Sequence, residues 1–200
     1  IAFAALEYDG TMRSMNPGIR MLSAFFQSVT PRTAGFNSLD IASLSDGSKF
    51  VTMLLMFIGA APGGTGGGIK VTTFAVMAAS VLSQLRARED VNLFHFRLEA
   101  EAIRRAFCGV AVYLAMTAGG ILILCAQGQP LTAAAFEALS AIGTVGLTTG
   151  ITPTLPAMSK IAIILLMYAG RVGSLTVFMA VAQQKNTGKL KNPAGKIIVG

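Results

Sequence analysis

The sequence predicts an all-α integral membrane protein made of repeated units. Each unit is a helix, a short re-entrant segment and a second helix, and the second helix of the first unit is broken by glycines. Three observations carry this reading. The 200 residues are 53% hydrophobic and 12% charged, with a mean hydropathy of +0.64, whereas soluble domains carry about 25% charged residues. The charges are clustered, with none in residues 71–85 or 106–136, gaps on the scale of the ~20 apolar residues that cross a bilayer core. The chain also repeats itself at a constant offset of 111 residues.

Taken in order, the opening "IAFAALEYDG" lacks a basic leader region and an initiator methionine, and reads as the tail of a helix cut from something longer. "AFFQSVTPRTAGFNS" (24–38) then lines up with "AFEALSAIGTVGLTT" (135–149), pairing Phe25 with Phe136, Thr33 with Thr144 and Gly35 with Gly146. The register continues without a gap through Ser48-Lys49 and Ser159-Lys160, "LLMFIG" and "LLMYAG", and Thr65 and Thr176. The short apolar segment before each Thr-x-Gly has about ten residues, a helix of only ~15 Å, half the hydrocarbon thickness. It must enter and turn back. Non-helical backbone at that depth survives only inside protein or beside water, so each unit is expected to hold a pore loop. In the first unit the pore helix is expected at 22–32, the loop at 33–38 and the long second segment at 48–83.

The second unit is expected whole. Residues 103–126 cross outward, "QGQP" (127–130) turns, 131–142 re-enter, 143–149 run extended and 157–183 cross back. The expected domains are a pore-loop unit at 1–83 with its first span mostly missing, a cytoplasmic linker at 84–102, a complete unit at 103–184 and a cytoplasmic tail at 185–200. The arginine-rich linker and the tail with Lys185, Lys189, Lys191 and Lys196 set the orientation by the positive-inside rule. Each unit crosses twice, so the repeat is parallel about an axis along the membrane normal. The net charge of +7 is then a topological signal with a bias toward anionic lipid, and not the mark of a nucleic-acid binder. Cys108 and Cys125 lie 17 residues apart on one apolar segment, about 25 Å along a helix, too far to pair. His95 sits alone in the linker and carries little weight as a ligand.

"TVGL" (144–147) is similar to the Thr-Val-Gly start of the potassium-channel filter, in which backbone carbonyls replace the ion's water shell. Carbonyls of extended backbone alternate. Bringing them to one side needs unusual dihedrals, which glycine reaches at least cost. "SVTPRTAGFNSLD", "GAAPGGTGGGIK", "GTVGLTTGITP" and "GRVGSLT" together resemble the Trk/Ktr/HKT superfamily of potassium transporters, and more narrowly the membrane subunit of the bacterial Ktr system. The resemblance covers essentially the whole chain. It implies a potassium-channel-like fold of four units around one pore, of which this chain holds the third and fourth. It carries the filter, and hence K⁺ binding, onto Thr33, Ala34, Gly35, Phe36, Thr144, Val145, Gly146 and Leu147. K⁺ is then the permeant ion, with Na⁺ left open as a coupling or activating ion. The implied partners are the N-terminal half of the same transporter, a second full-length subunit in a homodimer, a cytoplasmic nucleotide-binding regulatory subunit and membrane lipid, in the plasma membrane with the C-terminus cytoplasmic.

Residues 59–68, "GAAPGGTGGG", hold six glycines inside the long segment. As one helix, residues 48–83 would span about 54 Å, so something must break them, and proline and glycine do so at least cost. A Walker A loop would need Gly-Lys-Ser/Thr, and the chain has Gly68-Ile69-Lys70-Val71. A passive kink for close helix packing is the plainer rival. The resemblance implies an intramembrane gate below the filter, made of Gly59, Pro62, Gly63, Gly64, Thr65, Gly66, Gly67 and Gly68. Arg171 aligns with Ala60. A charge at such depth costs at least ~2.5–3.5 kcal/mol on insertion scales, so a role in the gate is the default reading, against a purely structural arginine bonded to backbone carbonyls. Arg32 and Glu137 flank the two turns and are expected to support filter backbone, because a bare charge there would trap or repel the ion.

The leading function is therefore K⁺ conduction. An alternating-access cation carrier is the alternative, disfavoured by the parallel repeat and paired turns, and a non-conducting scaffold is a third reading. The sequence shows no nucleophile–base pair and no metal-ligand cluster, so no enzyme or resident metal is expected.

Overall fold

The computed structural model describes residues 2–63, 66–87, 90–93 and 96–173. Gly64, Thr65, His95, Thr176 and the lysine tail lie outside them. The described residues form α1 (Ala2–Leu6), α2 (Pro17–Val29), α3 (Asp46–Phe57), α4 (Val71–Leu85), a hairpin of β1 (Asn92–Leu93) and β2 (Phe96–Arg97), α5 (Ala100–Ala126), α6 (Leu131–Ile142) and α7 (Ala157–Val172). Helices dominate. The hairpin, pairing Asn92 with Arg97 and Leu93 with Phe96, adds a small β element to the linker that the sequence reading did not contain.

Helix starts follow local chemistry. Pro17 and Pro130 open or precede their helices, where a missing N–H costs nothing. Ser45 caps α3 by accepting from the Ser48 N–H at 3.3 Å. α5 has 27 residues and is long and apolar enough to cross a membrane, while α4 and α6 are shorter apolar helices. The buried side of α5 is a stripe of Ala106, Val110, Tyr113, Thr117, Gly120 and Leu124, spaced three and four apart as one helix face requires. Its other face shows Phe107, Leu114, Leu122 and Ile123, an apolar exterior suited to lipid.

α6 lies at the centre, packed by α5, α7 and α3. Nearly every residue of its last three turns is buried: Ala134, Phe136, Glu137, Ala138, Ser140, Ala141 and Ile142. Two apolar clusters meet around it. One joins α5, α6 and α7, and the other joins α1, α2, α3 and the turn after α6. The end of α3 reaches the first cluster through Phe57, whose ring meets Tyr113 edge-on at 5.6 Å between centroids.

Several boundaries differ from the sequence expectations. α2 occupies Pro17–Val29 instead of 22–32. It starts at the proline, and its end precedes Pro31, which has no N–H to donate back into a helix. The long second segment, expected at 48–83 with a break inside it, runs from Asp46 to Leu85 as two helices, and residues 58–63 and 66–70 between them are outside helix. α5 begins three residues earlier than expected. α7 stops at Val172, where Gly173 takes a φ of 96°, and does not continue as one helix through Gly173. Residues 174–183 of the expected span lie outside the described ones.

Candidate functional site

Each short helix, α2 and α6, runs into a turn with positive φ at the same two positions. Thr33 and Gly35 have φ of 67° and 76°, and Thr144 and Gly146 have 54° and 88°. Among the described residues, Ala87 is the one other non-glycine with positive φ. A β-branched residue there is a genuine outlier, costing on the order of 1–3 kcal/mol, and such strain persists only where surroundings enforce it. Residues of positive φ thus stand at the first and third positions of each turn, with Ala34 or Val145 between them. The two turns are in contact: a Cβ added at Gly35 would lie 2.3 Å from the Val145 carbonyl oxygen.

A helix-end hydroxyl holds each turn. Ser140 Oγ donates to the Leu147 carbonyl at 2.5 Å, and Thr30 Oγ1 donates to the Phe36 carbonyl. The N–H groups of Ala34 and Gly35 donate to the Thr30 carbonyl at 3.2 and 3.3 Å, and that of Val145 to the Ser140 carbonyl at 2.9 Å. The sequence reading missed both hydroxyls. The ungapped register pairs Thr30 with Ala141 and Ser140 with Val29, so the shared role is displaced by one residue and no alignment column displays it.

Glu137 is buried, 4% exposed. Its Oε1 accepts from Thr148 Oγ1 at 2.6 Å, the Thr149 N–H at 2.9 Å and Thr149 Oγ1 at 3.1 Å, and its Oε2 accepts from Thr152 Oγ1 at 2.8 Å. The chain leaving the second turn is thereby fastened to α6. Arg32 is exposed, and its side chain makes no hydrogen bond among the described residues. On the first side a different carboxylate is buried: Glu7, just beyond α1. Its Oε2 accepts from the Thr11 N–H and Oγ1 at 3.1 and 2.8 Å, and its Oε1 from the Ser45 N–H and Oγ at 2.9 and 2.7 Å. Burial pushes its pKa up, but hydrogen bonding from Ser48, Ser45 and Thr11 outweighs this and holds it down at about 2.

Among residues 58–63 and 66–70, Gly66 and Gly67 lie against the two turns. The base of the loop is closed by a parallel bridge between Ile58 and Ile69, with the Gly59 N–H donating to the Ile69 carbonyl at 2.9 Å and the Ile69 N–H to the Phe57 carbonyl at 3.3 Å. The Gly67 N–H donates to Thr144 Oγ1 at 2.7 Å. A Cβ on Gly67 would lie 2.5 Å from Thr144 Cγ2, and one on Gly66 would lie 2.6 Å from Thr33 Oγ1. The backbone thus abuts the side chains of both threonines, an approach open only to glycine. Lys70 Nζ donates to the Gly66 carbonyl. Pro62 and Gly63 are exposed, Gly59 is buried and Gly68 half-buried.

Arg171 stands exposed on the last turn of α7. The loop is close by, since a Cβ on Gly67 would also lie 3.1 Å from the Gly170 carbonyl oxygen. With Glu137, Thr144, Gly146 and Tyr168, Arg171 lines a mainly apolar cavity of about 690 Å³ on the flank of the second turn. Of the eight turn residues, Val145 and Leu147 are buried, Thr33, Gly35 and Thr144 half-buried, and Ala34, Phe36 and Gly146 exposed. No group of three metal-ligating side chains occurs among the described residues.

The sequence model of the family described as TrkH, cation transport protein, matches residues 2–191. The Ktr system potassium uptake protein B of Bacillus subtilis is 39% identical over 198 residues, covering 98% of this chain and 44% of that protein. The potassium/sodium uptake protein NtpJ of Enterococcus hirae is 37% identical over 188 residues, 90% of this chain and 42% of that one. The crystal structure of the potassium transporter TrkH from Vibrio parahaemolyticus has the same fold, with a TM-score of 0.76 at 20% identity over 92% of this chain and 41% of that one. The chain therefore spans less than half the length of these relatives.

Proposed function

Since this chain belongs to the TrkH family of cation transport proteins, we propose that it supplies two of the units surrounding a potassium pore in the plasma membrane. The observation that carries the reading is the pair of strained Thr-x-Gly turns, alike in backbone and in contact with each other. Carbonyls brought to one side of each turn would face a shared axis and take the place of the ion's water. Thr33, Ala34, Gly35 and Phe36 form one filter strand, and Thr144, Val145, Gly146 and Leu147 the other. α5, α6, the second turn and α7 make a complete helix–pore loop–helix unit within residues 103–184. Residues 1–83 contribute the pore loop and second helix of another unit. The linker at 84–102 and the tail at 185–200 face the cytoplasm.

Residues 59–68 act as an intramembrane gate, with glycines letting the loop adopt open and closed shapes at similar energy. Arg171, beside the loop, adds a positive barrier and a donor for loop carbonyls. The remaining strands come from the N-terminal half of the same transporter, and a cytoplasmic nucleotide-binding subunit acts on a homodimer through the linker and tail. The family resemblance and the names of the relatives support these assignments.

The test is ⁸⁶Rb⁺ uptake by potassium-starved cells and by reconstituted vesicles holding the full-length protein. Saturable uptake that K⁺ competes for and Na⁺ does not is expected. Shortening the loop, or Arg171→Ala, should raise flux several-fold without the regulatory subunit and leave selectivity intact. Lower flux from correctly inserted loop-deletion protein would reject the gate and leave the passive kink.

A further inference from the structure

The closed loop does more than stand in the way, because it takes hold of filter side chains. Gly67 donates its N–H to Thr144 Oγ1 at 2.7 Å, and Gly66 packs against the hydroxyl and methyl of Thr33. Both threonines begin their turns, both have positive φ, and both are the part of the turn that the loop touches. An ion passing from the filter toward the cytoplasm meets these two side chains as it meets the loop.

We propose that Thr144 Oγ1 is a ligand shared between the gate and the innermost ion site, so that K⁺ at the base of the filter and the closed loop exclude one another. This inference rests on the pore reading above. A threonine hydroxyl oxygen has two acceptor sites. In the closed arrangement one is filled by an amide whose hydrogen, the positive end of its dipole, points at the place a cation would need. The Gly67 backbone fills the adjoining space. A cation reaching Thr144 therefore weakens the Gly67 bond, and a formed bond lowers the cation's affinity. By linkage the two effects are equal in size. The gate then responds to the permeant ion as well as to a regulatory subunit. Gly66 against Thr33 gives the same coupling a second point of contact without a hydrogen bond, so Thr144 is the dominant partner.

The experiment is hydrogen–deuterium exchange of the peptide spanning residues 59–70 in the full-length protein in lipid nanodiscs, with K⁺ exchanged for choline at constant ionic strength. Exchange should quicken by about fivefold or more as K⁺ rises, the lower end of typical coupling, and choline should have no effect. Thr144→Ser keeps the hydroxyl, so its loop should still exchange slowly without K⁺ and quicken as K⁺ rises. Thr144→Val keeps the shape and loses the acceptor. It should exchange fast at all K⁺ concentrations and show raised ⁸⁶Rb⁺ flux without the regulator. Parent protein with selective ⁸⁶Rb⁺ flux and K⁺-independent exchange would overturn the coupling and leave the pore intact. A slow, K⁺-responsive loop in Thr144→Val would do the same. Absence of selective flux in the parent protein would overturn the pore reading, and the coupling with it.

Discussion

The turns after α2 and α6 have positive φ at the same two positions and different neighbours within this chain. The second is walled in: α6 is enclosed by three helices, and Val145 and Leu147 are 5% and 2% exposed. The first stands open, with Phe36 71% exposed and α2 presenting Ile19, Met21, Leu22 and Phe25 outward. Thr33 and Thr144 nonetheless share a left-handed conformation, as do Gly35 and Gly146. The two turns share a short helix, a hydroxyl at its end that reaches forward to a carbonyl, a Thr-x-Gly sequence, and a loop glycine set against the threonine. Packing decides what each turn is fastened to, and there the two sides part.

The largest effect should come from the charges that flank the two turns. Glu137→Ala removes the acceptor of four hydrogen bonds at a buried site, and hydrogen bonds to a charged group contribute about 1.5–3 kcal/mol each. A stability loss on the order of 3 kcal/mol or more is expected, seen as a lower unfolding temperature of the full-length protein. Arg32→Ala, the flanking charge on the first side, should stay within about 0.5 kcal/mol, as for surface changes generally. Similar losses from both would show that the first side is held as firmly as the second.

Next in size is the glycine pair. Gly35→Ala and Gly146→Ala both force a side chain into the left-handed region, at about 1–2 kcal/mol. Only the first also meets an atom of the described residues, with its Cβ 2.3 Å from the Val145 oxygen, while Gly146 has open space. Gly35→Ala should therefore disturb both turns and lower K⁺ over Na⁺ selectivity more than Gly146→Ala, measured by competitive ⁸⁶Rb⁺ uptake. Equal losses would mean that the two turns do not share one cage.

The last contrast concerns pH. The Glu7 pKa is lowered from 4.5 to about 2, so its stabilisation is fully present above pH 4.5 and drains away as pH falls toward 2. Thermal unfolding should lose stability across that window, and Glu7→Gln should flatten the dependence. An unchanged acid profile in Glu7→Gln would place the sensitivity elsewhere.

Much of this was legible in the chain. Residues 131–142 form a helix with the expected bounds, because "QGQP" and Gly143 punctuate both ends of an apolar run. The 111-residue register pairs Thr33 with Thr144, and both have a positive φ. What escaped has physical reasons. Two-residue strands such as Asn92–Leu93 and Phe96–Arg97 have too little length for a period. The forward-reaching hydroxyls sit one register apart, at Thr30 and Ser140. Glu7 and Ser45 are 38 residues apart, and only the fold brings them together. The end of α7 depends on Gly173, and one glycine in an apolar run does not by itself mark a stop.

The bridge at the base of the glycine loop has a mechanical consequence. Ile58 and Ile69 pair in parallel, so the chain leaves the excursion heading as it entered. Tension along α3 and α4 would then be carried across the Gly59 and Ile69 hydrogen bonds and would bypass the loop. A pull on α4 of the kind proposed for the linker would load those two bonds first and reach the loop only once they part. A steadily rising pull would thereby become a threshold, with little movement below the rupture force and full release above it.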